Sequence, residues 1–236
     1  MNNLIFLANW KATKTAKETV EWVKIAKPRL EEVQNATIVV CPSFILIPAL
    51  TSLLEGTNIK IGAQYVSKFK NGAYTGEVTV EMLDSLVDYC IIGHSERRKY
   101  FGETDEDVIK KANLLLEAKI TPVLCISNFN QLTSYIEKGT LIVDQAEKII
   151  FVYEPPEAIS TGGEYRAQDP EEVDNNLKEI SSRVGKSITT LYGGSVNLSN
   201  TSNLLAKESV KGFLIGQAST DPVIFSEIIS AATKNL

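Results

Sequence analysis

Eight short runs of apolar, largely β-branched residues alternate along the chain with amphipathic helix patterns. The runs are LIFLAN (4–9), TIVVCP (37–42), IKIGAQ (59–64), YCIIGH (89–94), TPVLCI (121–126), IIFVYE (149–154), TTLYGG (189–194) and GFLIGQ (212–217). Their continuous apolar character is typical of parallel strands that are covered on both faces. Eight such units without an intervening linker predict an α/β fold, a closed (β/α)8 barrel forming one domain over residues 1–236. An open doubly wound sheet is the alternative, but it more often uses fewer strands at this length.

The helix patterns between these runs begin with recognisable capping residues. Thr104 starts a capping box, and Asp169-Pro170 and Asp221-Pro222 each place a cap before a proline in the first turn. The interval 127–148 contains the weakest pattern, for which we expect little more than a short helix. The first helix is expected to bury a face made of Val20, Val23, Leu30 and Val33.

Composition limits the kinds of partner that the chain can bind. With 236 residues and 44% apolar residues, it is long enough to bury the large core of a barrel. The formal net charge is −5 and the pI is about 5.1, which argues against non-specific binding to nucleic acid or to an anionic membrane. An anionic ligand must therefore be held by local features of the fold.

The sequence also gives an expectation for the compartment. No apolar run approaches the roughly 18 residues needed to cross a bilayer, and the N-terminal residues do not resemble an export signal. Cys41, Cys90 and Cys125 lie within apolar runs without CxxC spacing, which suits a reducing environment. We therefore expect a soluble cytoplasmic protein.

Polar residues whose side chains can take part in catalysis or binding follow several of the predicted strands. Asn9 and Lys11 follow the first run, His94 ends the fourth and Glu154 ends the sixth. Glycine-containing loops that can present backbone N–H groups to an anion follow runs seven and eight. Because the carboxyl ends of barrel strands converge on one opening, a cation, an imidazole and a carboxylate are expected to share one site. His94 is the only histidine in the chain.

These residues occur in segments that resemble one enzyme family. The segments are ANWK (8–11), GAQ (62–64), GAYTGE (72–77), GHSERR (93–98), FGET (101–104), YEPP (153–156), YGGSV (192–196) and GQAS (216–219). In order and spacing they resemble the triosephosphate isomerases, and the resemblance extends over nearly the whole chain. It implies a TIM barrel.

The resemblance implies an isomerase of glycolysis and gluconeogenesis that interconverts dihydroxyacetone phosphate and glyceraldehyde 3-phosphate through an enediolate, without a metal or an organic cofactor. Glu154 would remove the proton next to the carbonyl, and a neutral His94 would donate to the two oxygens. The turn at residues 95–97 would supply a helix N-terminus that disfavours the charged imidazolium.

The resemblance also assigns residues to substrate binding. Lys11 would place a positive charge beside the enediolate and the phosphate, with Asn9 as a neighbouring polar contact. Glu96 would orient Lys11 or the surrounding turn rather than contact the substrate. The phosphate would be held by Asn9, Lys11 and the backbone N–H groups near Ser160, Ser195, Gly216 and Gln217.

A segment after Glu154 resembles the family's mobile lid. It consists of Pro155, Pro156, Glu157, Ala158, Ile159, Ser160, Thr161 and Gly162. The chain departs from many members at Glu157, Ser160 and Gly163, and Gln217 stands where those members have the second of two glycines. The backbone N–H of Gln217 would still serve the phosphate, with its side chain directed away.

A loop at residues 68–82, with Thr75 near its tip, resembles the family's loop that enters a partner subunit. It implies a homodimer, and the shortened region after the fifth strand resembles compact members of which some are tetramers.

Two further hypotheses about function fit parts of the sequence. Phosphate-type loops alone would also suit another phosphosugar enzyme, and the altered lid would suit a non-catalytic barrel that binds a phosphate or a protein.

Overall fold

The eight predicted strands form a closed parallel barrel. The computed structural model describes residues 3–155, 158 and 168–234. Each strand pairs with the next, and the first pairs with the last to close the sheet. The strands are β1 Leu4–Asn9, β2 Ala36–Cys41, β3 Lys60–Ala63, β4 Tyr89–Ile92, β5 Thr121–Ile126, β6 Ile150–Tyr153, β7 Thr189–Tyr192 and β8 Gly212–Ile215.

Several strands end before the runs from which they were predicted. β4 stops at Ile92, β6 at Tyr153 and β8 at Ile215, so the last one or two residues of each run lie beyond the sheet. After β4 the cause is local, because Gly93 has φ +71° and cannot continue an extended strand. The shortening leaves the polar ends of these runs free to line the mouth of the barrel.

Helices cover the outside of the barrel between successive strands. They are α1 Ala16–Leu30, α2 Ile47–Leu53, α3 Val80–Leu83, α4 Ser95–Phe101, α5 Asp105–Glu117, α6 Phe129–Lys138, α7 Thr140–Asp144, α8 Pro170–Val184, α9 Leu198–Leu205 and α10 Pro222–Thr233. The predicted caps of α5, α8 and α10 are confirmed: Thr104 forms a capping box with Asp107, and Asp169 and Asp221 each accept first-turn N–H bonds.

Two helix predictions were inaccurate. The region 127–148 holds a ten-residue helix, α6, and a further turn, α7, so it is more helical than its pattern indicated. The asparagine cap at Asn128 explains part of this, because its side chain accepts the N–H of Gln131. In the first helix, Val33 lies beyond the C-terminus at Leu30, and the buried face includes Trp22 rather than Val20.

The core consists of two layers, one on each face of the barrel sheet, because successive side chains along a strand point to opposite faces. One cluster contains strand residues alone and therefore fills the barrel interior; its members include Leu7, Cys41, Cys125, Val152 and Leu191. The other contains strand and helix residues and lies between barrel and helices. Cys41, Cys90 and Cys125 are fully buried free thiols, and burial raises the pKa of each.

Within the described part of the chain, none of the helices combines the length and the apolar character needed to cross a bilayer.

Candidate active site

A cavity of about 270 Å³ opens at the carboxyl ends of the strands. It is bounded by residues that follow β1, β4, β6, β7 and β8, as expected for the mouth of a barrel of this type. The lining includes seven predicted site residues: Asn9, Lys11, His94, Glu154, Ser195, Gly216 and Gln217. These residues, distant in sequence, therefore border one space.

Glu154 and His94 are in direct contact across this cavity. The Nε2 atom of His94 lies 2.8 Å from Oε1 of Glu154, and the backbone N–H of Ser95 donates to Oε2 at 3.0 Å. Glu154 is 1% exposed and His94 is 5% exposed, so both groups are shielded from bulk water. A carboxylate and an imidazole are thus hydrogen-bonded to each other in a buried site that small molecules can enter.

The tautomer of His94 is set by the backbone of α4. His94 is the N-cap of that helix, and its Nδ1 accepts the N–H of Glu96 at 3.2 Å. Since a nitrogen that accepts a hydrogen bond carries no proton, the ring proton lies on Nε2 and points to Glu154. Burial lowers the pKa of His94, whereas the carboxylates of Glu154 and Glu96 raise it, and the net shift is upward while Glu154 remains in contact.

Glu154 is held in its ionised form. Burial alone would raise its pKa, but the interaction with His94, the N–H of Ser95 and the charge of Lys11 lower it below the ordinary value. The carboxylate is therefore available as a proton acceptor at neutral pH.

Lys11 reaches the cavity from an unusual backbone conformation. Its φ of +51° lies in the left-handed region, which is strained for a residue with a side chain. The side chain of Gln64 donates to the carbonyl of Lys11 at 2.9 Å and to that of Cys41 at 2.8 Å, and Asn9 Oδ1 accepts the Lys11 N–H at 3.2 Å. These bonds hold the strained turn in place.

The ammonium group of Lys11 forms an ion pair with Glu96. Nζ lies 2.6 Å from Oε1, and the two side chains are 25% and 32% exposed. Glu96 itself lies outside the main cavity and borders a neighbouring one. Gln64 is a site residue that sequence reasoning missed; its signal was its position at the end of a predicted strand, within the segment GAQ.

The loops after β7 and β8 form the opposite wall of the cavity. Gly216 lies against Lys11, because a Cβ on it would be 3.6 Å from Nζ. Gly194 lies against the Tyr192 ring, where a Cβ would collide with the ring and its hydroxyl. The Oγ of Ser195 donates to the carbonyl of Ala158 at 2.8 Å. These glycines allow the two loops to approach the site closely.

Part of the predicted lid lies outside the described residues. Of this segment, Pro155 and Ala158 are described, and the Ala158 N–H donates to the Pro155 carbonyl at 3.0 Å. Pro156, Glu157, Ile159, Ser160, Thr161 and Gly162 fall in the undescribed ranges 156–157 and 159–167.

Thr75 borders a separate cavity beside Phe69, Tyr74 and Phe101. In the described ranges, no three or more His, Cys, Asp or Glu side chains are grouped to hold a metal ion.

Comparison with known proteins agrees with this geometry. The family model described as triosephosphate isomerase matches residues 4–232. The chain belongs to the triosephosphate isomerase family. The triosephosphate isomerase of Endomicrobium trichonymphae is 37% identical over 97% of this chain and 98% of that protein. That of Clostridium botulinum, strain Loch Maree, is 37% identical over 98% of this chain and 100% of that protein. The triosephosphate isomerase of Aquifex aeolicus is 36% identical over 95% of this chain and 98% of that protein.

Proposed function

We propose that this member of the triosephosphate isomerase family interconverts dihydroxyacetone phosphate and D-glyceraldehyde 3-phosphate through an enediolate, with residues 1–236 acting as one catalytic domain. The observation that carries the proposal is the contact of Glu154 with His94 in a cavity that Lys11 also lines. Proton transfer next to a carbonyl needs a base and a hydrogen-bond donor to the oxygen that gains charge. Both groups are present, together with a cation.

Glu154 is the proposed base. Its carboxylate is ionised and nearly free of solvent, so it can take the proton from one carbon of the substrate and return it to the neighbouring carbon. To do so, Glu154 must leave its 2.8 Å contact with His94. The carbon skeleton of the substrate would then lie between the two side chains.

His94 is the proposed donor to the substrate oxygens. The hydrogen bond at Nδ1 leaves one ring proton, on Nε2, which faces the cavity. Once Glu154 turns toward the substrate, the carboxylate that raises the pKa of His94 moves away, and the N–H of Glu96 favours the neutral ring. A neutral Nε2–H can give its proton to one oxygen of the enediolate and recover a proton from the other.

Lys11 is proposed to stabilise the negative charge of both the enediolate and the phosphate. Its ion pair with Glu96 fixes the direction of the side chain, and the bonds of Gln64 and Asn9 fix the backbone from which it extends. A preorganised cation of this kind needs no rearrangement when charge develops.

The phosphate is proposed to bind to the loops that follow β7 and β8. Backbone N–H groups near Ser195, Gly216 and Gln217, with Ser160 from the undescribed part of the lid, would supply the donors. Local N–H groups and one lysine allow an acidic chain to hold a dianion without a basic surface. The lid at residues 155–162 would close over the substrate and exclude water.

An assay of the purified protein tests this function. Conversion of glyceraldehyde 3-phosphate would be followed through an enzyme that consumes dihydroxyacetone phosphate, and the reverse reaction through one that consumes the aldehyde. Turnover in both directions without added metal or cofactor is expected. Absence of turnover in either direction would contradict the proposal.

The pH dependence of kcat/KM provides a separate prediction. Because the pKa of Glu154 is lowered, the base stays ionised as the pH falls and is lost only below its ordinary value of 4.5. A loss of activity near pH 6 is expected from the substrate instead, since the second ionisation of a phosphate ester lies at about 6. Rates are measured at several pH values and corrected with a phosphorus NMR titration of the substrate, which separates the ionisation of the substrate from that of the enzyme. After that correction, one limb is expected to remain above the ordinary imidazole value of 6.5, because kcat/KM reports the free enzyme, in which Glu154 raises the pKa of His94, and the donor must be neutral. A corrected profile that is flat down to pH about 5 would contradict the role of a neutral His94.

We propose that the protein is a cytoplasmic homodimer; the alternative assembly is a tetramer. A second cavity, of about 280 Å³, lies on the other side of Lys11 and is lined by Phe44, Gln64, Glu96 and Phe101, among others. Of its lining residues, Phe101 is 68% exposed, and Ile45, which follows the lining residue Phe44 in the chain, is 85% exposed. A loop from a second copy, with Thr75 at its tip, would fill this space and cover the exposed rings.

Thr75→Arg is expected to weaken this dimer at least about 100-fold, because a larger, charged side chain would be buried beside Lys11 and Arg97, whose charges have the same sign, while Glu96 is already paired with Lys11. Sedimentation velocity over a range of concentrations measures the change. Thr140→Arg places the same side chain at an exposed position that starts α7, outside the proposed interface, and is expected to leave the dimer intact. A wild-type protein that sediments as a monomer, or equal effects of the two variants, would contradict the assembly.

A further inference from the structure

The peptide groups on both sides of Gly93 are held by charged side chains. The Gly93 N–H donates to Oε2 of Glu103 at 3.1 Å, and the Gly93 carbonyl accepts from Nε of Arg98 at 3.1 Å. Glu103 is 8% exposed and is paired with Lys111. Gly93 immediately precedes His94 and has φ +71°, so its backbone direction decides where the imidazole points.

Arg98 is itself held by two further groups. Its Nη1 lies 2.7 Å from Oδ1 of Asp105, and its Nη2 donates to the hydroxyl of Tyr135. Tyr135 lies on α6 and is fully buried. The same hydroxyl would be 3.2 Å from a Cβ placed on Gly93, so it also lies directly behind the turn. One phenol therefore contacts the guanidinium group and backs the glycine that this group holds.

We propose that Tyr135 is a positioning residue for His94. Its hydroxyl fixes the fork of Arg98, and Arg98 fixes the Gly93 carbonyl, so that the His94 ring keeps both its bond to the Glu96 N–H and its direction into the cavity. The proposal rests on the proposed function, in which His94 donates to the substrate. Tyr135 touches neither substrate nor reacting atoms, and it comes from the segment 127–148, which none of the quoted sequence motifs includes.

Packing alone does not account for a tyrosine at this position. A phenylalanine would fill the same buried space apart from the hydroxyl, and a buried hydroxyl is costly unless it is hydrogen-bonded. Its described hydrogen bond is the one from Arg98. Removing the hydroxyl leaves one arm of the guanidinium without its acceptor, and Arg98 can then rotate away from the Gly93 carbonyl. A small change of ring direction reduces catalysis more than it reduces binding.

Tyr135→Phe tests the proposal, with Tyr89→Phe as the matched control. Tyr89 is a partly buried tyrosine at the start of β4, the opposite end of the strand that leads to His94. For Tyr135→Phe, kcat is expected to fall about 5- to 20-fold with KM changed less than about 2-fold. Since His94 is the only histidine, nitrogen-15 NMR of histidine-labelled protein reads this one imidazole directly. Its Nδ1 signal is expected to move toward that of an acceptor without a hydrogen bond.

A second pair of variants keeps the test decisive if Tyr135→Phe is poorly folded. Arg98→Lys retains the charge but loses the fork, and it should produce the same changes in kcat and in the Nδ1 signal. If both residues act through one contact, the double variant loses little more activity than Arg98→Lys alone. Additive losses, or a Tyr135→Phe protein whose His94 signals match those of Tyr89→Phe, would overturn the proposal. Lower thermal stability with an unchanged His94 spectrum would show a purely structural role and also overturn it.

The two readouts separate this inference from the function on which it rests. Absence of isomerase activity in the wild-type protein would refute the proposed function. The NMR comparison needs no turnover, so it would still decide whether Tyr135 sets the orientation of His94.

Discussion

Replacing Glu154 with glutamine is expected to lower kcat about 10³-fold, within the range found when a positioned general base is lost. The amide has nearly the same shape as the carboxylate but cannot accept a proton from carbon. The backbone N–H of Ser95 can still donate to the amide oxygen, so the side chain keeps one of its present bonds. KM should therefore change much less than kcat. The coupled assay in both directions measures the two constants.

Asp174→Asn is the matched control for this change. Asp174 is also a buried carboxylate with a lowered pKa, but it lies on α8, where it pairs with Lys178 and accepts from Ser209. The control is expected to lower stability while leaving kcat within about 2-fold, because no substrate contact is lost. A Glu154→Gln enzyme that retains more than about a tenth of the wild-type kcat would refute the assignment of the base.

Lys11→Met is expected to lower kcat/KM about 10³-fold. Methionine keeps most of the length and apolar body of lysine but removes the charge that faces the enediolate and the phosphate. The loss also leaves the Glu96 carboxylate without its 2.6 Å partner, which adds an unbalanced negative charge near an anionic substrate. Lys11→Arg, which keeps the charge but changes its geometry, should fall between the wild type and Lys11→Met.

Lys14→Met controls for the loss of a lysine in the same loop. The Nζ of Lys14 donates to the Thr220 carbonyl at 2.7 Å and lies over the Trp10 ring, and the side chain does not line the substrate cavity. Its removal should alter stability rather than kcat/KM. Equal losses from Lys11→Met and Lys14→Met would mean that the Lys11 charge has no special part in the reaction.

The strands of the barrel could be predicted because their sequence signal is local. Each run is continuous and apolar, and burial of both faces leaves little freedom in where it lies. The exact strand ends were less predictable, since they depend on backbone conformations such as the left-handed Gly93. The extent of α6 was missed because propensity is weak in QLTSYIEKG, and tertiary burial of Leu132 and Tyr135 stabilises the helix instead.

The candidate site shows the same division between local and tertiary information. Asn9, His94 and Glu154 could be placed because strand ends converge at the mouth of any such barrel. The residues that hold these side chains in place could not be predicted, because they come from other strand-helix units of the barrel. Gln64 bonds to the Lys11 carbonyl from 53 residues away in sequence, and Tyr135 bonds to Arg98 from 37 residues away. Such contacts depend on side-chain directions that no pattern in a single sequence specifies.

The reactivity of the three buried thiols can report how the barrel opens. Thiol-modifying reagents are attacked by an exposed thiolate, so Cys41, Cys90 and Cys125 should react only when the structure around them opens. Cys41 and Cys125 point into the barrel interior, whereas Cys90 belongs to the layer beneath the helices. If peptide mapping finds Cys90 labelled before the other two, the helical coat loosens while the sheet remains closed; equal labelling means that both layers separate in one event.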